Sequence, residues 1–393
     1  MEQNRCPACQ DEGVDIFIEI DNLPVHCNLL WSSREAALNA PRGDIRLGFC
    51  QTCGMIYNLA FDPGRMEYSQ SYENSLHFSP RFQTYAQDLV TQLIEKYQLY
   101  NKRIIEIGCG KGEFLSMLCK GGQNKGFGFD PSYDSNREDG GASEHITFIR
   151  DFYSESYAEY TADLICCRQV LEHIQHPRDF LLQLRRAIGK QRETTVFFEV
   201  PNVLYTLRDF GIWDILYEHC SYFSVPALSR LFRESGFTVR QVYPTFGDQF
   251  LCVEAFPAVA SALSTRGTAA EDLEQLSSLV SSFRQNYQHK VETWKGHFRR
   301  LFEEGKRVVV WGGGTKGVIF LNTIKGGERI RYVIDINPHK QGMYIAGTGQ
   351  RIVPPEFLHK YQPDVILIMN PIYKDEIHSM LDQVGMDAEI VAV

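Results

Sequence analysis

The sequence lacks several features that would by themselves narrow its role. No stretch of its 393 residues approaches the roughly 18 uninterrupted apolar residues of a membrane span, and the opening MEQNRCPACQ is polar. Neither insertion nor secretion is expected, and the cytoplasm is the expected compartment. There is no basic excess. Forty Lys and Arg face 49 Asp and Glu, a net charge of -9, so nucleic acid is not an expected partner. A disulfide framework is missing too: the eleven cysteines are odd in number, and Cys109, Cys119, Cys166, Cys167 and Cys252 lie within apolar patterns, as reduced thiols do. What is present is ordinary globular material. Hydrophobic residues are 44% and charged residues 23%, which excludes disordered and fibrous architectures, and the length predicts two or three domains.

Four cysteines stand apart. Cys6-Pro-Ala-Cys9 and Cys50-Gln-Thr-Cys53 are two CxxC turns separated by forty residues. Each turn lets two thiolates converge on one ion, and two turns complete a tetrahedral four-sulfur zinc site. With no position left for water, such a site is structural, and a small N-terminal lobe over residues 1–66 is expected to depend on it for stability. The bland alternative is two unrelated pairs of buried thiols. Cys27 is not expected to be a ligand.

A polar segment, Glu67 to Phe82, leads into a helix with apolar positions at Tyr85, Leu89, Leu93 and Ile94. There follows a strand, Lys102 to Ile107, a turn with Gly108, Gly110 and Gly112, and an amphipathic helix. That context suits close approach of the backbone to a ligand, with a helix N-terminus behind it. A GxGxG by itself is weak. A second strand ending at Asp130, about 20 residues on, strengthens it, because a carboxylate there can accept both hydroxyls of a ribose. A third strand ends at Asp151-Phe152 and a fourth, Asp163 to Arg168, precedes Gln-Val-Leu-Glu172-His173. Their polar ends share one edge of a doubly wound parallel sheet, where ligands bind.

The densest polar stretch is Trp213-Asp-Ile-Leu-Tyr217-Glu218-His219-Cys-Ser-Tyr222-Phe-Ser224. A histidine is the natural proton acceptor near neutral pH, and a neighbouring carboxylate or phenol tunes it. Read alone, His219 is a structural histidine in a loop; its setting, with His173 at the same sheet edge, favours a chemical role. Apolar positions from Leu273 to Leu301 then recur every three or four residues, as in one helix packing across domains or in a coiled coil. Finally Gly312-Gly-Gly314-Thr-Lys-Gly317 follows a strand, with Asp335 about 20 residues later. The spacing reads as a dinucleotide site, yet only 58 residues follow Asp335, too few for a substrate domain. This unit could hold substrate or buttress the first sheet.

The order of E-x-G-x-G-x-G, GFGFD, the Asp-Phe pair and ADLICCRQVLEHI resembles the class I S-adenosylmethionine methyltransferases over residues 100 to about 255. A nicotinamide-binding fold could use the same glycines, but its glycine phase differs. The resemblance implies that Gly108, Gly110 and Gly112 lie against the methionine and ribose of the cofactor. It also implies that Asp130 takes the ribose hydroxyls, Asp151 and Phe152 face the adenine, Arg168 meets the methionine end, and Glu106 orients the amino group through water. With the cysteine knuckle, the EHxSYFS string and the C-terminal glycine unit, nearly the whole chain resembles the sugar C-methyltransferase family. The architecture so implied is α/β: a class I methyltransferase core at 67–257, flanked by the zinc-binding domain at 1–66 and by a long helix plus a Rossmann-like domain at 258–393.

Members of that family methylate nucleotide-linked 4-keto-deoxysugars at the carbon next to the ketone, through an enolate. The resemblance makes His219 the base and gives His173 a role at the enolate oxygen. Glu218 matches a family glutamate, while Leu216 and Tyr217 depart from a tyrosine and a histidine, so Tyr217 replaces that tyrosine from a shifted place or the tyrosine's role is missing. Tyr72, Ser75 and Ser79 fall where relatives hold the nucleotide. The departure leaves room for C-, O- or N-methylation of a non-sugar small molecule. An RNA substrate gripped by the knuckle is disfavoured, since residues 1–60 carry only four basic residues, Arg5, Arg34, Arg42 and Arg46, and more acidic ones.

Overall fold

The computed structural model describes residues 5–66, 72–133, 145–259 and 270–393. The start of the polar segment, at 67–71, lies outside the described residues. Three sheets organise the chain. β1 (Val14–Pro24), β2 (Arg42–Cys50) and β3 (Ile56–Asn58) form an antiparallel N-terminal meander.

The central sheet begins with β4 (Arg103–Ile107), β5 (Lys125–Phe129), β6 (Ile146–Ile149), β7 (Leu164–Arg168) and β8 (Thr195–Pro201), all parallel. The inner strands are mainly apolar because helices cover both faces, with Glu106, Arg168 and Glu199 as charged exceptions toward their carboxyl ends. Ile104, Ile105, Leu164, Ile165, Val196 and Phe197 are all buried. After the short β9 (Ser221–Tyr222), β10 (Phe237–Thr245) and β11 (Phe250–Pro257) close the far edge, β11 running antiparallel to β8. The strand order β6-β5-β4-β7-β8-β11-β10 reverses between β4 and β7, which puts the ligand crevice of an open α/β sheet above those two strands.

The helix leading into β4 spans Pro80–Tyr97. Ser79 caps it, accepting from the Phe82 amide at 3.2 Å, and Pro80 occupies the first turn, where no intrahelical donor is needed. The helical repeat near the C-terminus is a single helix, Ala270–Glu303. Its stripe, including Leu276, Phe283, Trp294 and Phe298, is buried in one core with the N-terminal meander and the C-terminal unit. That unit is a second parallel sheet: β12 (Val308–Trp311), β13 (Tyr332–Ile334), β14 (Arg351–Val353), β15 (Val365–Ile368) and β16 (Glu389–Ala392), in the order β14-β13-β12-β15-β16.

The N-terminal lobe is less independent than its length suggested. β9, from within the methyltransferase segment, pairs with β3 (Ile56 with Tyr222, Tyr57 with Ser221) and becomes the fourth strand of the N-terminal sheet. The apolar residues of the meander also share their core with Trp213, Tyr217 and the long helix. A lobe this small cannot bury enough of its own surface, so neighbouring units complete it. Among the described residues, no helix is long and apolar enough to cross a membrane.

Candidate active site

Two sites emerge at the carboxyl edges of the parallel sheets, and a third in the N-terminal lobe. The first follows β4. Gly108, Gly110 and Gly112 adopt φ of 69°, 55° and 86°, the left-handed region that glycine enters without strain. A side chain on Gly112 would meet Phe148 at 2.4 Å, whereas Gly110 faces open space, so the turn presents bare backbone on its outer side. The Gly110 amide donates to Asp130 Oδ2 at 2.8 Å, and Asp130 Oδ1 accepts from the amide and hydroxyl of Ser132 at 2.7 and 2.6 Å.

Below the turn, Glu106 is buried and burial pushes its carboxyl up to about 8, with Arg168 opposing. Arg168 pairs with the fully buried Glu199 at 2.9 Å and lies over the Phe114 ring, 4.0 Å from its centroid. Gln169 and the Tyr85 hydroxyl also donate to Glu199. Among the described residues, Glu106 Oε2, Lys111 Nζ and Arg168 Nε are shielded from solvent without hydrogen-bond partners. A carboxyl oxygen and an ammonium without partners, beside one unused N–H of the Glu199-paired Arg168, all next to an open glycine turn, fit an amino-acid ammonium and carboxylate. With Asp130 beyond them, these residues fit S-adenosylmethionine. Asp151 and Phe152 lie past the end of β6, where Asp151 accepts from the Tyr157 hydroxyl at 2.6 Å and Phe152 is 64% exposed.

The second site is a cleft of about 320 Å³ between the central and C-terminal sheets. His173 and His219 line it, their rings edge to face with centroids 4.9 Å apart. His219 is held from both sides. Before it, Glu218 is fully buried, lies 3.4 Å from His26 Nδ1 and accepts from the Cys27 amide at 3.0 Å. After it, the Cys220 carbonyl accepts from the Asn58 amide at 3.0 Å and β9 begins. His173 Nδ1 is 3.0 Å from the Glu218 carbonyl; because a carbonyl only accepts, that nitrogen carries the proton. Burial, then His173 and Lys316, drives His219 well below the ordinary 6.5; burial also lowers His173. Both imidazoles are therefore neutral at physiological pH, and a neutral imidazole can take a proton.

The structure separates the expected site residues. Tyr72, Ser75 and Ser79 line the same cleft as the imidazoles. Ser79 also donates to Glu376 of the C-terminal unit at 2.7 Å, and Ser75 to Glu113 at 2.8 Å. Tyr217 points the other way. Its hydroxyl accepts from the Asp62 amide at 2.9 Å, and its ring fills the space above Gly43, where a side chain would stand 2.3 Å from Cε2. The Glu218 carboxylate likewise faces the N-terminal lobe. The cleft adds residues that the sequence reading did not place: Asn28, Asp214, Lys316, Asn337 and Lys340. Asn28 donates to Thr315 at 3.2 Å and Lys316 pairs with Asp214, so the cleft walls are tied across units. In the loop after Asp335 no local pattern shows that a lysine turns inward.

In the lobe, the sulfurs of Cys6, Cys9, Cys50 and Cys53 all lie within 4.8 Å of one another, with Cys6–Cys53 at 3.5 Å and Cys9–Cys50 at 3.6 Å. A tetrahedron with bonds of about 2.3 Å has edges of about 3.8 Å, so the four thiols fit zinc.

Comparison with known proteins agrees with this layout. Residues 79–242 match a methyltransferase domain, and residues 261–391 match a C-methyltransferase C-terminal domain. The chain is 28% identical over 225 residues to the C-methyltransferase NovU of Streptomyces niveus, covering 55% of this chain and 53% of that protein, so it spans about half the length of this curated relative. Among solved structures, magnesium protoporphyrin IX methyltransferase of Synechocystis PCC 6803 is 16% identical, with a TM-score of 0.35 over 45% of this chain and 84% of that one. The 1,6-didemethyltoxoflavin-N1-methyltransferase of Burkholderia thailandensis is 14% identical, with a TM-score of 0.34 over 44% and 79%.

The sheet order and the glycine turn are those of a class I S-adenosylmethionine-dependent methyltransferase. More particularly, the chain joins that domain to the C-terminal domain of the C-methyltransferases.

Proposed function

We propose that this chain methylates a nucleotide-linked 4-keto-deoxysugar at the carbon next to the ketone. The observation that carries the reading is the cleft itself, with a neutral imidazole pair on the methyltransferase side and Thr315, Lys316 and Lys340 on the other. Cationic side chains beside a helix N-terminus suit a diphosphate, and the imidazoles suit a carbon acid.

When bound, S-adenosylmethionine supplies an electrophilic methyl group from its sulfonium. Asp130 holds the ribose, Glu106, Lys111 and Arg168 hold the methionine end, and Asp151 and Phe152 border the adenine. His219 takes the proton from the carbon beside the ketone. The C–H bonding pair becomes an enolate whose carbon takes the methyl group, the S–CH3 bonding pair staying on the sulfur of the departing S-adenosylhomocysteine. His173, whose single proton goes from Nδ1 to the Glu218 carbonyl, has none for the enolate oxygen and instead holds the loop beside His219. The proton on His219 then leaves to water. Tyr72, Ser75 and Ser79 line the nucleotide's path. Tyr217 and Glu218 act on the position of the loop rather than on substrate. Zinc on Cys6, Cys9, Cys50 and Cys53 supplies structure alone.

The test is product analysis. The protein is incubated with carbon-13-methyl S-adenosylmethionine and nucleoside diphosphate 4-keto-6-deoxysugars of thymidine, uridine and guanosine. A labelled methyl on the ring carbon beside the ketone supports the reading. A label on oxygen or nitrogen, or binding of S-adenosylhomocysteine with no nucleotide bound, overturns the sugar assignment.

A further inference from the structure

Glu172 is 1% exposed, and neither of its carboxylate oxygens has a hydrogen-bond partner among the described residues. A buried carboxyl in that state is costly, and native structures rarely keep one without a use. It lines the cleft, one residue from His173, and its carboxylate lies within 4.8 Å of ring nitrogens of both His173 and His219, which are likewise within 4.8 Å of each other. Burial pushes the Glu172 carboxyl up to about 8, the opposite direction from the two imidazoles.

We propose that Glu172, His173 and His219 form a second metal site, for a divalent cation that accepts mixed nitrogen and oxygen donors, such as Zn²⁺ or Co²⁺. Two imidazoles and one carboxylate are a common donor set for such ions. His173 is already arranged as a ligand: with Nδ1–H donating to the Glu218 carbonyl, its lone pair belongs to Nε2, and a backbone acceptor on the far nitrogen is the usual support of a metal-bound histidine. Bonds of about 2.0–2.2 Å require neighbouring donors roughly 3 to 3.5 Å apart, a spacing that donors within 4.8 Å reach by small side-chain shifts. Glu172 gives up its proton to the solvent as the cation arrives. All three residues line the cleft, which is the cation's way in.

The site has a consequence for the reaction. The nitrogen that bonds the cation is the one that would take the substrate proton, so a filled site is an inhibited one. Cation binding stands apart from the methyl-transfer reading; only the inhibition rests on it.

The test uses the full chain carrying one zinc per chain in the cysteine site. Calorimetric titration with Co²⁺ is expected to show one further equivalent, with visible bands lacking thiolate-to-cobalt charge transfer. Glu172→Gln is expected to weaken this equivalent at least tenfold while S-adenosylhomocysteine binding reports an intact fold. If that variant does not fold, His219→Gln gives the same readout. Absence of a second equivalent in the wild type, or an equivalent indifferent to both substitutions, overturns the site. In that case, turnover lost in His219→Ala would leave the methyltransferase reading standing.

Discussion

Glu218 ties the loop that carries His219 to His26 of the N-terminal lobe: one carboxylate oxygen lies 3.4 Å from His26 Nδ1, and the other accepts from the Cys27 amide at 3.0 Å. The carbonyl of the same residue accepts from His173 at 3.0 Å. One side chain and its own backbone thus connect the lobe to the imidazole pair. Removing one partner of a buried polar pair leaves the other desolvated, at a cost of roughly 3 kcal/mol. Glu218→Ala is therefore expected to lower the thermal midpoint and kcat together while leaving affinity for S-adenosylhomocysteine unchanged. A variant with normal turnover would show that the link does not position the loop.

The cysteine site should be felt at the same place. Cys53 precedes β3, β3 pairs with β9, and β9 begins two residues after His219. Metal removal by a chelator, or Cys53→Ser, is expected to abolish turnover and sparing of S-adenosylhomocysteine binding is expected alongside it, because the glycine turn lies in the other sheet. Parallel loss of both in a calorimetric titration would mean that zinc supports the whole fold and not the loop.

Much of this was legible in the sequence, for physical reasons. Gly108, Gly110, Gly112 and Asp130 are readable because a turn with φ above zero and an acid one strand later are local requirements. The four cysteines are readable because two CxxC turns can meet on one ion wherever the intervening chain goes. Tyr217 was not: its neighbours Gly43 and Asp62 are remote in sequence, and nothing in the local string tells which way the ring turns. The strand Ser221–Tyr222 was hidden for the same reason, being too short to show alternation and defined only by its partner. Glu172 was visible as part of a Leu-Glu-His string, but its lack of partners is a property of the folded interior.

Asp130 offers a cleaner test of the cofactor side. Two charge-assisted hydrogen bonds to ribose hydroxyls, at about 1.5 kcal/mol or more each, set the scale. Asp130→Ala is expected to weaken S-adenosylhomocysteine binding roughly 10- to 100-fold by calorimetry, at about 1.4 kcal/mol per decade. Unchanged affinity would remove this carboxylate from the cofactor site.

The pH dependence has a definite sign. On the proposed reading His219 works unprotonated, and its pKa lies well below 6.5 because burial, His173 and Lys316 all oppose its charge. Glu172, held up to about 8, stays protonated through this range and does not offset them. The kcat/KM profile is expected to stay flat down through 6.5 and to fall only at lower pH. Stability moves with the same group. The unfolded chain binds this proton more readily than the native one, so His219 makes the protein less stable as pH falls below 6.5, and His219→Gln should lose less over that interval in thermal melts. An acid limb of kcat/KM centred at or above 6.5 would assign the titration to another group.

The central claim is that His219 is the base, and the direct measurement is exchange of the substrate proton. With S-adenosylhomocysteine bound, a nucleoside diphosphate 4-keto-6-deoxysugar is incubated in deuterium oxide, and deuterium at the carbon beside the ketone is followed by proton NMR. The wild type is expected to wash in deuterium, and His219→Ala to bind S-adenosylhomocysteine normally while exchanging at least about 100-fold more slowly. Exchange at the wild-type rate in that variant would contradict the account.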